Sequence, residues 1–149
     1  MTIRNATSAD MPAVLELIKE LARFEREPDA VRVTVEDLCR DGFGENPLFR
    51  VVVAELDAEV CGMALFYHRY STWKGKTIHL EDLVVRVAQR GIGIGQALFD
   101  AVMSSARSEG VRRVEWQVLD WNRNAIAFYA KQGARVLGDW RVVHLEMDK

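Results

Sequence analysis

Cysteine and proline are scarce: the 149-residue chain holds two of the first and three of the second. Cys39 and Cys61 fit neither a disulfide framework nor a close-spaced zinc motif, and they read as two reduced thiols in a cytoplasmic protein. The three histidines, His68, His79 and His144, are scattered, with no His-x-x-x-His and no cysteine pair beside them, so no metal is expected. Basic runs are missing too, and the net charge is -2, which argues against nucleic acid or an anionic membrane surface as a partner. No apolar run approaches the ~20 residues of a membrane span. The opening Met-Thr-Ile-Arg-Asn lacks the apolar centre of a signal peptide. Repeats, low-complexity stretches and proline-rich linkers are absent as well. Residues 1–149 therefore read as a single domain of common size.

What remains is an ordinary globular balance, 49% hydrophobic and 28% charged, enough to build one buried core. A short strand is expected over residues 2–6. Thr7-Ser8-Ala9-Asp10 has the form of a helix N-cap with an acid three residues on. Val14, Leu15, Leu17, Ile18, Leu21, Ala22 and Phe24 then recur at helical spacing. That predicts an amphipathic helix over about 9–25, ended by Glu27-Pro28-Asp29. A second, short helix follows the cap at Thr34 and reaches about Arg40. Strands are expected over 48–55, 60–70 and 78–87, the first two joined by a turn at Asp57-Ala58. A helix follows to near Gly110, then a strand over 111–119. A helix over 122–132, closed by Gly133, leads to one or two strands within 135–147. The order β α α β β β α β α β reads as a mixed α/β sheet with helices on both faces.

Glycine is concentrated where it is least needed for a simple turn. Gln89-Arg90-Gly91-Ile92-Gly93-Ile94-Gly95-Gln96 places three glycines at alternate positions between a strand and a helix. Glycine tolerates positive φ and lets backbone approach a ligand closely. A P-loop is excluded, because no Gly-x4-Gly-Lys-Ser/Thr occurs. The dinucleotide fingerprint Gly-x-Gly-x-x-Gly begins at Gly91 but is broken at Gly95-Gln96. The arrangement Gln/Arg-x-x-Gly-x-Gly/Ala is met. There the loop N–H groups and the positive end of the next helix converge on one anion, and Arg90 can add a charged fork. The alternative is a glycine-rich turn that merely caps the helix.

These residues resemble the acetyl-CoA signature of the GCN5-related N-acetyltransferases, the GNAT superfamily. A second hallmark lies downstream in order: Asp120-Trp121-Asn122, then Ala125-Ile126-Ala127-Phe128-Tyr129-Ala130-Lys131-Gln132-Gly133-Ala134. The chain is most similar to the branch that acetylates diamines and thialysine, over Ile3 to Met147. Carrying segments include Leu17 to Glu25, Asp41 to Pro47, Trp73-Lys74-Gly75-Lys76 and Leu80-Glu81-Asp82-Leu83-Val84-Val85. Two departures concern the amine. Ser71 stands where the vertebrate diamine enzymes carry an acid, and the tail after Gly133 is shorter. The resemblance implies the GNAT fold, a mixed and mostly antiparallel sheet flanked by helices on both faces. It also implies acetyl-CoA as co-substrate, a small-molecule amine acceptor and a homodimer.

Acyl transfer from a thioester to an amine makes three demands. The amine must lose a proton, the tetrahedral oxyanion must be stabilised, and the departing thiolate must be protonated or tolerated. Glu81 is nominated as base, since it precedes the glycine loop on a strand. Adjacent Glu81 and Asp82 face opposite ways on a regular strand, so only one points into a cleft unless a bulge intervenes. A solvated acidic pair is the competing reading. The resemblance implies Glu81 as base and cation ligand, with Asp82 a second acid near the amine. It also implies a splay that frees backbone groups of Leu83, Val84 and Val85 for the coenzyme and the oxyanion. Tyr129 is the implied general acid; a phenol titrates near ~10 and a thiol near ~8.5, so the transfer is plausible but not strongly downhill. Asn122 reads as an N-cap and, with Asn124, as an implied coenzyme contact beside Gln89, Arg90, Gly91, Ile92, Gly93, Ile94, Gly95 and Gln96. Glu25, Glu81 and Asp82 can supply charge to a cationic amine, with Phe24 and Trp73 as aromatic walls. The leading expectation is acetylation of a small primary amine, a diamine or a lysine-like amino acid. The alternatives are a protein or peptide N-acetyltransferase and a non-catalytic acetyl-CoA-binding module.

Overall fold

The structure, a computed structural model, describes residues 1–147. The chain gathers into two compact units, residues 1–117 and residues 118 onward, each described by itself.

The first unit carries a five-stranded sheet in the order β1-β2-β3-β4-β5. The strands are β1 (Thr2–Asn5), β2 (Arg50–Leu56), β3 (Glu59–Ser71), β4 (Gly75–Val85) and β5 (Val114–Glu115). The first four pair antiparallel and β5 joins β4 in parallel. Its helices are α1 (Met11–Phe24), α2 (Val35–Phe43) and α3 (Ile94–Glu109). Local chemistry accounts for their boundaries. Thr34 and Asp37 form a reciprocal capping box at the start of α2. Asp57 and Ala58 adopt φ of 53° and 65°, the left-handed pair that a two-residue hairpin between β2 and β3 requires.

Helices cover both faces, in keeping with the unbroken runs of buried residues along β2, β3 and β4. Val51, Val53, Met63, Leu65 and Val84 pack with Met11, Val14, Leu15 and Leu17 of α1 and Leu38 of α2. The opposite face lies under α3, whose Leu98 and Val102 are fully buried. Close approach there depends on Gly62. A Cβ at that position would stand 3.0 Å from the Val84 carbonyl oxygen, 3.1 Å from Leu98 Cδ1 and 3.3 Å from Ile94 Cγ2.

Two expected strands differ in the structure. The strand expected over 111–119 contracts to Val114–Glu115. Alternating Val114, Trp116 and Val118 satisfy the side-chain pattern, but a strand exists only as far as its ladder, and pairing with β4 ends at Glu115. Within the second unit, α4 (Arg123–Lys131) forms, with Asn122 Oδ1 accepting the N–H of Ala125 as its cap. The strands expected within 135–147 do not form. That unit contains no strand among its described residues for them to pair with.

Substituting Gly62→Ala should overpack the contact between β3 and α3 and destabilise the fold by about 1–3 kcal/mol. A fall in the urea midpoint at unchanged slope checks this, and an unchanged midpoint contradicts it.

Candidate active site

Strand β4 is irregular where the acids lie. Leu65 pairs with Asp82 and Phe66 with Leu80, so Glu81 has no partner across the ladder. One extra residue is a β-bulge, and its effect on direction is decisive. Tyr67 and Leu65, two apart on β3, face the α1 side. So do their partners His79 and Asp82. Glu81 turns to that side as well, because the Tyr67 hydroxyl donates to Glu81 Oε1 at 2.7 Å. The bulge that the sequence left open is present, and both acids share one face.

Glu25, immediately after α1, lies close enough for its charge to act on both acids of the strand. Burial first, then the charges of Glu81 and Glu25, pushes Asp82 up to about 7. Burial and the charge of Glu81 also raise Glu25. Burial, then the bond to Glu81, pushes Tyr67 up to about 12, so it stays a hydroxyl and a donor. Three carboxyl groups thus share one spot, with Asp82 the most enclosed of them. A protonated amine is the complement of such a spot.

Further along the same face stand residues that sequence reasoning did not nominate. Arg69 Nη1 lies 2.9 Å from His79 Nδ1, and His79 Nε2 lies 3.6 Å from Glu81 Oε1. Glu115 receives Arg69 at 2.6 Å and Arg113 at 3.1 Å. His79 and Glu81, two apart on one strand, were a visible signal. Tyr67 and Arg69 become neighbours only once the register of β3 against β4 is known.

Beyond Asp82, β4 runs three more residues, roughly 10 Å, to Val85. The β4–β5 ladder stops at His79 and Glu115. Leu83, Val84 and Val85 therefore have β3 on one edge and no strand of the first unit on the other. The chain then enters the glycine loop. Gly91 and Gly93 adopt φ of 85° and 90°, values that side-chain-bearing residues rarely hold. A Cβ at either would meet nothing within 4 Å, so the loop surface there is open. Helix α3 starts at Ile94 with Gly93 as its N-cap, so the positive end of the helix opens on the glycine loop. Arg90 Nε bonds the Val85 carbonyl at 3.1 Å and ties loop to strand. These features fit the pyrophosphate of a coenzyme.

Other nominees are dispersed. Phe24 closes α1 and is 42% exposed. Trp73 sits at the β3–β4 hairpin tip, 80% exposed, where Ser71 Oγ accepts its N–H and that of Lys74. Ser71 pairs with Gly75 and Leu65 with Asp82, so six residues of strand, roughly 20 Å, separate that tip from Asp82. Asn122, Asn124 and Tyr129 belong to the second unit. Asn122 caps α4, and Tyr129 lies on that helix with its ring edge-on to Phe128 at 5.5 Å. Among the described residues no group of three or more His, Cys, Asp and Glu is arranged to hold a metal ion, and no helix is long and apolar enough to cross a membrane.

The family model described as the acetyltransferase (GNAT) family matches residues 11–134. The chain belongs to the GNAT acetyltransferase family. The bovine (Bos taurus) thialysine N-epsilon-acetyltransferase is 40% identical over 143 residues, 91% of this chain and 84% of the relative. The L-ornithine N5-acetyltransferase of Arabidopsis thaliana is 36% identical over 99% of this chain and 57% of its own length. Among solved structures, a tetramutant of the BH1408 protein from Bacillus halodurans superposes with a TM-score of 0.78 at 26% identity, covering 99% of this chain and 100% of that one. The protein is thus an N-acetyltransferase with a GNAT fold.

The raised Asp82 makes this acetyltransferase's stability depend on pH in a defined direction. An unfolded aspartate titrates near ~3.9, while in the fold Asp82 keeps its proton to about 7. The native state thus holds more protons between those values, and stability falls as pH rises through the window, by a few kcal/mol in order of magnitude. Thermal unfolding of the wild type against Asp82→Asn from pH 5 to pH 8 should show the variant gaining on the wild type up to about pH 7 and the difference levelling off above it. A constant difference between the two contradicts the burial of a titrating Asp82.

Proposed function

We propose that this enzyme transfers the acetyl group of acetyl-CoA to a primary amine of a small cationic acceptor, a diamine or a lysine-like amino acid. The observation that carries the reading is the convergence of Glu25, Glu81 and Asp82 on one face of β4, produced by the bulge at Glu81. The names of relatives that act on thialysine and ornithine support the acceptor class.

When bound, acetyl-CoA supplies a thioester carbonyl as the electrophile. The chain's residues do the rest. Open loop surface at Gly91 and Gly93, with the first turn of α3, receives the pyrophosphate. The ammonium enters among the three carboxyl groups. Asp82 takes the role of proton acceptor in this reading. Its carboxyl, raised by burial to about 7, stands nearer to the ~10.4 of an alkylammonium than a free aspartate does, which lowers the cost of the transfer. Glu81, held by Tyr67, orients the cation and Asp82 takes its proton. The neutral nitrogen attacks the carbonyl, and backbone N–H groups along Leu83 to Val85 meet the developing oxyanion. The carbon–sulfur bond breaks, Tyr129 is the group assigned to give the thiolate its proton, and the second proton shed by the acylated nitrogen restores the phenol. Homodimerisation and a cytoplasmic setting belong to the same reading.

The test is thiol release from acetyl-CoA against putrescine, spermidine, spermine, thialysine, ornithine, lysine and a short peptide. We expect turnover with one of the small amines, and kcat/KM rising with pH through about 7, the Asp82 value in the free enzyme. Asp82→Asn should lose that limb and about two orders of magnitude in kcat/KM. Turnover with the peptide alone would favour the protein-acetylating alternative, and coenzyme binding without any turnover would favour the binding module.

A further inference from the structure

The short contacts beyond Glu81 point to one set of proton positions. A guanidinium donates and cannot accept. The 2.9 Å contact between Arg69 Nη1 and His79 Nδ1 therefore requires a lone pair on Nδ1. The imidazole proton must then sit on Nε2, the nitrogen that faces Glu81 Oε1 at 3.6 Å. Tyr67 donates to the same oxygen at 2.7 Å from the other side. Glu115 completes the outer end, gripping Arg69 at 2.6 Å and standing 3.8 Å from His79 Nδ1. His79 is buried and its ring lies 5.3 Å from that of Tyr67, so neither ring is free to turn into solvent.

We propose that Arg69 and His79 are positioning residues for Glu81. Arg69 fixes the His79 tautomer, the Tyr67 hydroxyl holds Glu81 Oε1, and the Nε2–H edge turned toward that oxygen at 3.6 Å adds an electrostatic hold that leaves Oε2 for the acceptor ammonium. The assignment rests on the reading of Glu81 as an amine ligand. It explains why a buried histidine lies beside an arginine. A second proton on Nδ1 would set two donors against each other and expel the guanidinium toward Glu115. The groups that bear on His79 are Glu81 on its own strand, Tyr67 and Arg69 on β3, and Glu115 with its partner Arg113 on and beside β5; Asp82 and Glu25 follow behind Glu81. Burial depresses His79 most, Arg69 depresses it further, and the charges of Glu81 and Glu115, with the hydrogen-bonding contact to Glu115, oppose this without reversing it. The imidazole thus stays neutral, and the arrangement intact, at neutral pH.

Nitrogen-15 NMR of the imidazoles in the intact enzyme, followed over pH, tests the proposal apart from activity. Wild-type His79 should carry its proton on Nε2 alone and titrate below the ordinary imidazole range. Arg69→Met should mix the tautomers and raise the titration. In kinetics, His79→Phe should lower kcat/KM for the amine about tenfold through misplacement of Glu81, with KM for acetyl-CoA unmoved. His79→Gln, which can accept from Arg69 and donate to Glu81, should recover most of that loss. A proton on Nδ1 in the wild type, or equal activity in the Phe and Gln variants, overturns the proposal. Full activity in Glu81→Gln with the Nε2 tautomer intact instead locates the failure in the reading of Glu81 as an amine ligand.

Discussion

One residue too many in β4 organises this molecule's chemistry. A regular strand would send Glu81 and Asp82 to opposite faces of the sheet, one under α1 and the other under α3. The bulge at Glu81 puts both on the α1 side, where Glu25 and Tyr67 are also found. A carboxyl enclosed beside other carboxylates is costly to ionise. Asp82, the most enclosed of the three, answers by keeping its proton to about 7. The same crowding that opposes ionisation in the free enzyme becomes attraction once an ammonium arrives. The bulge thus couples a local backbone irregularity to substrate charge and to proton transfer.

The rest of the strand extends this arrangement. His79 and Glu115 mark the end of the β4–β5 ladder. From there to Val85 the strand keeps only its β3 partner within the first unit, and the glycine loop begins directly beyond. Acid cluster, bare strand edge, open loop and helix N-terminus follow one another along a single stretch of chain, from His79 to Gln96. Packing holds that stretch still. Val84 is locked in the α1 core, and Gly62 admits Leu98 and Ile94 of α3 to the opposite face. The helix that presents its N-terminus at the loop is therefore anchored through its own buried side chains.

Features governed by neighbours in sequence were legible without a structure. The capping box at Thr34, the hairpin at Asp57-Ala58, the amphipathic α1 and the strand-loop-helix around Gly91 all follow from local conformational preference. Features governed by register were not. The bulge follows from which residue of β3 meets which of β4, and no local pattern around Glu81 announces it. Tyr67, Arg69 and His79 went unnominated for the same reason, since their roles come from cross-strand contact. Alternating side chains over 111–119 suggested more strand than forms, and the strands expected within 135–147 do not form. Alternation describes a surface that could be half-buried, while a ladder needs a partner at the right distance.

The claim on which this account depends is that Asp82 holds a proton near neutrality because the bulge buries it among other acids. Carbon-13 NMR of the enzyme labelled at its aspartate side-chain carboxyls, with Asp82 assigned by Asp82→Asn, measures this directly. The account predicts that the Asp82 resonance titrates near 7 in the free enzyme and moves to lower pH when a cationic amine is added. A resonance that titrates in the ordinary aspartate range near ~4, and does not respond to the amine, would contradict it.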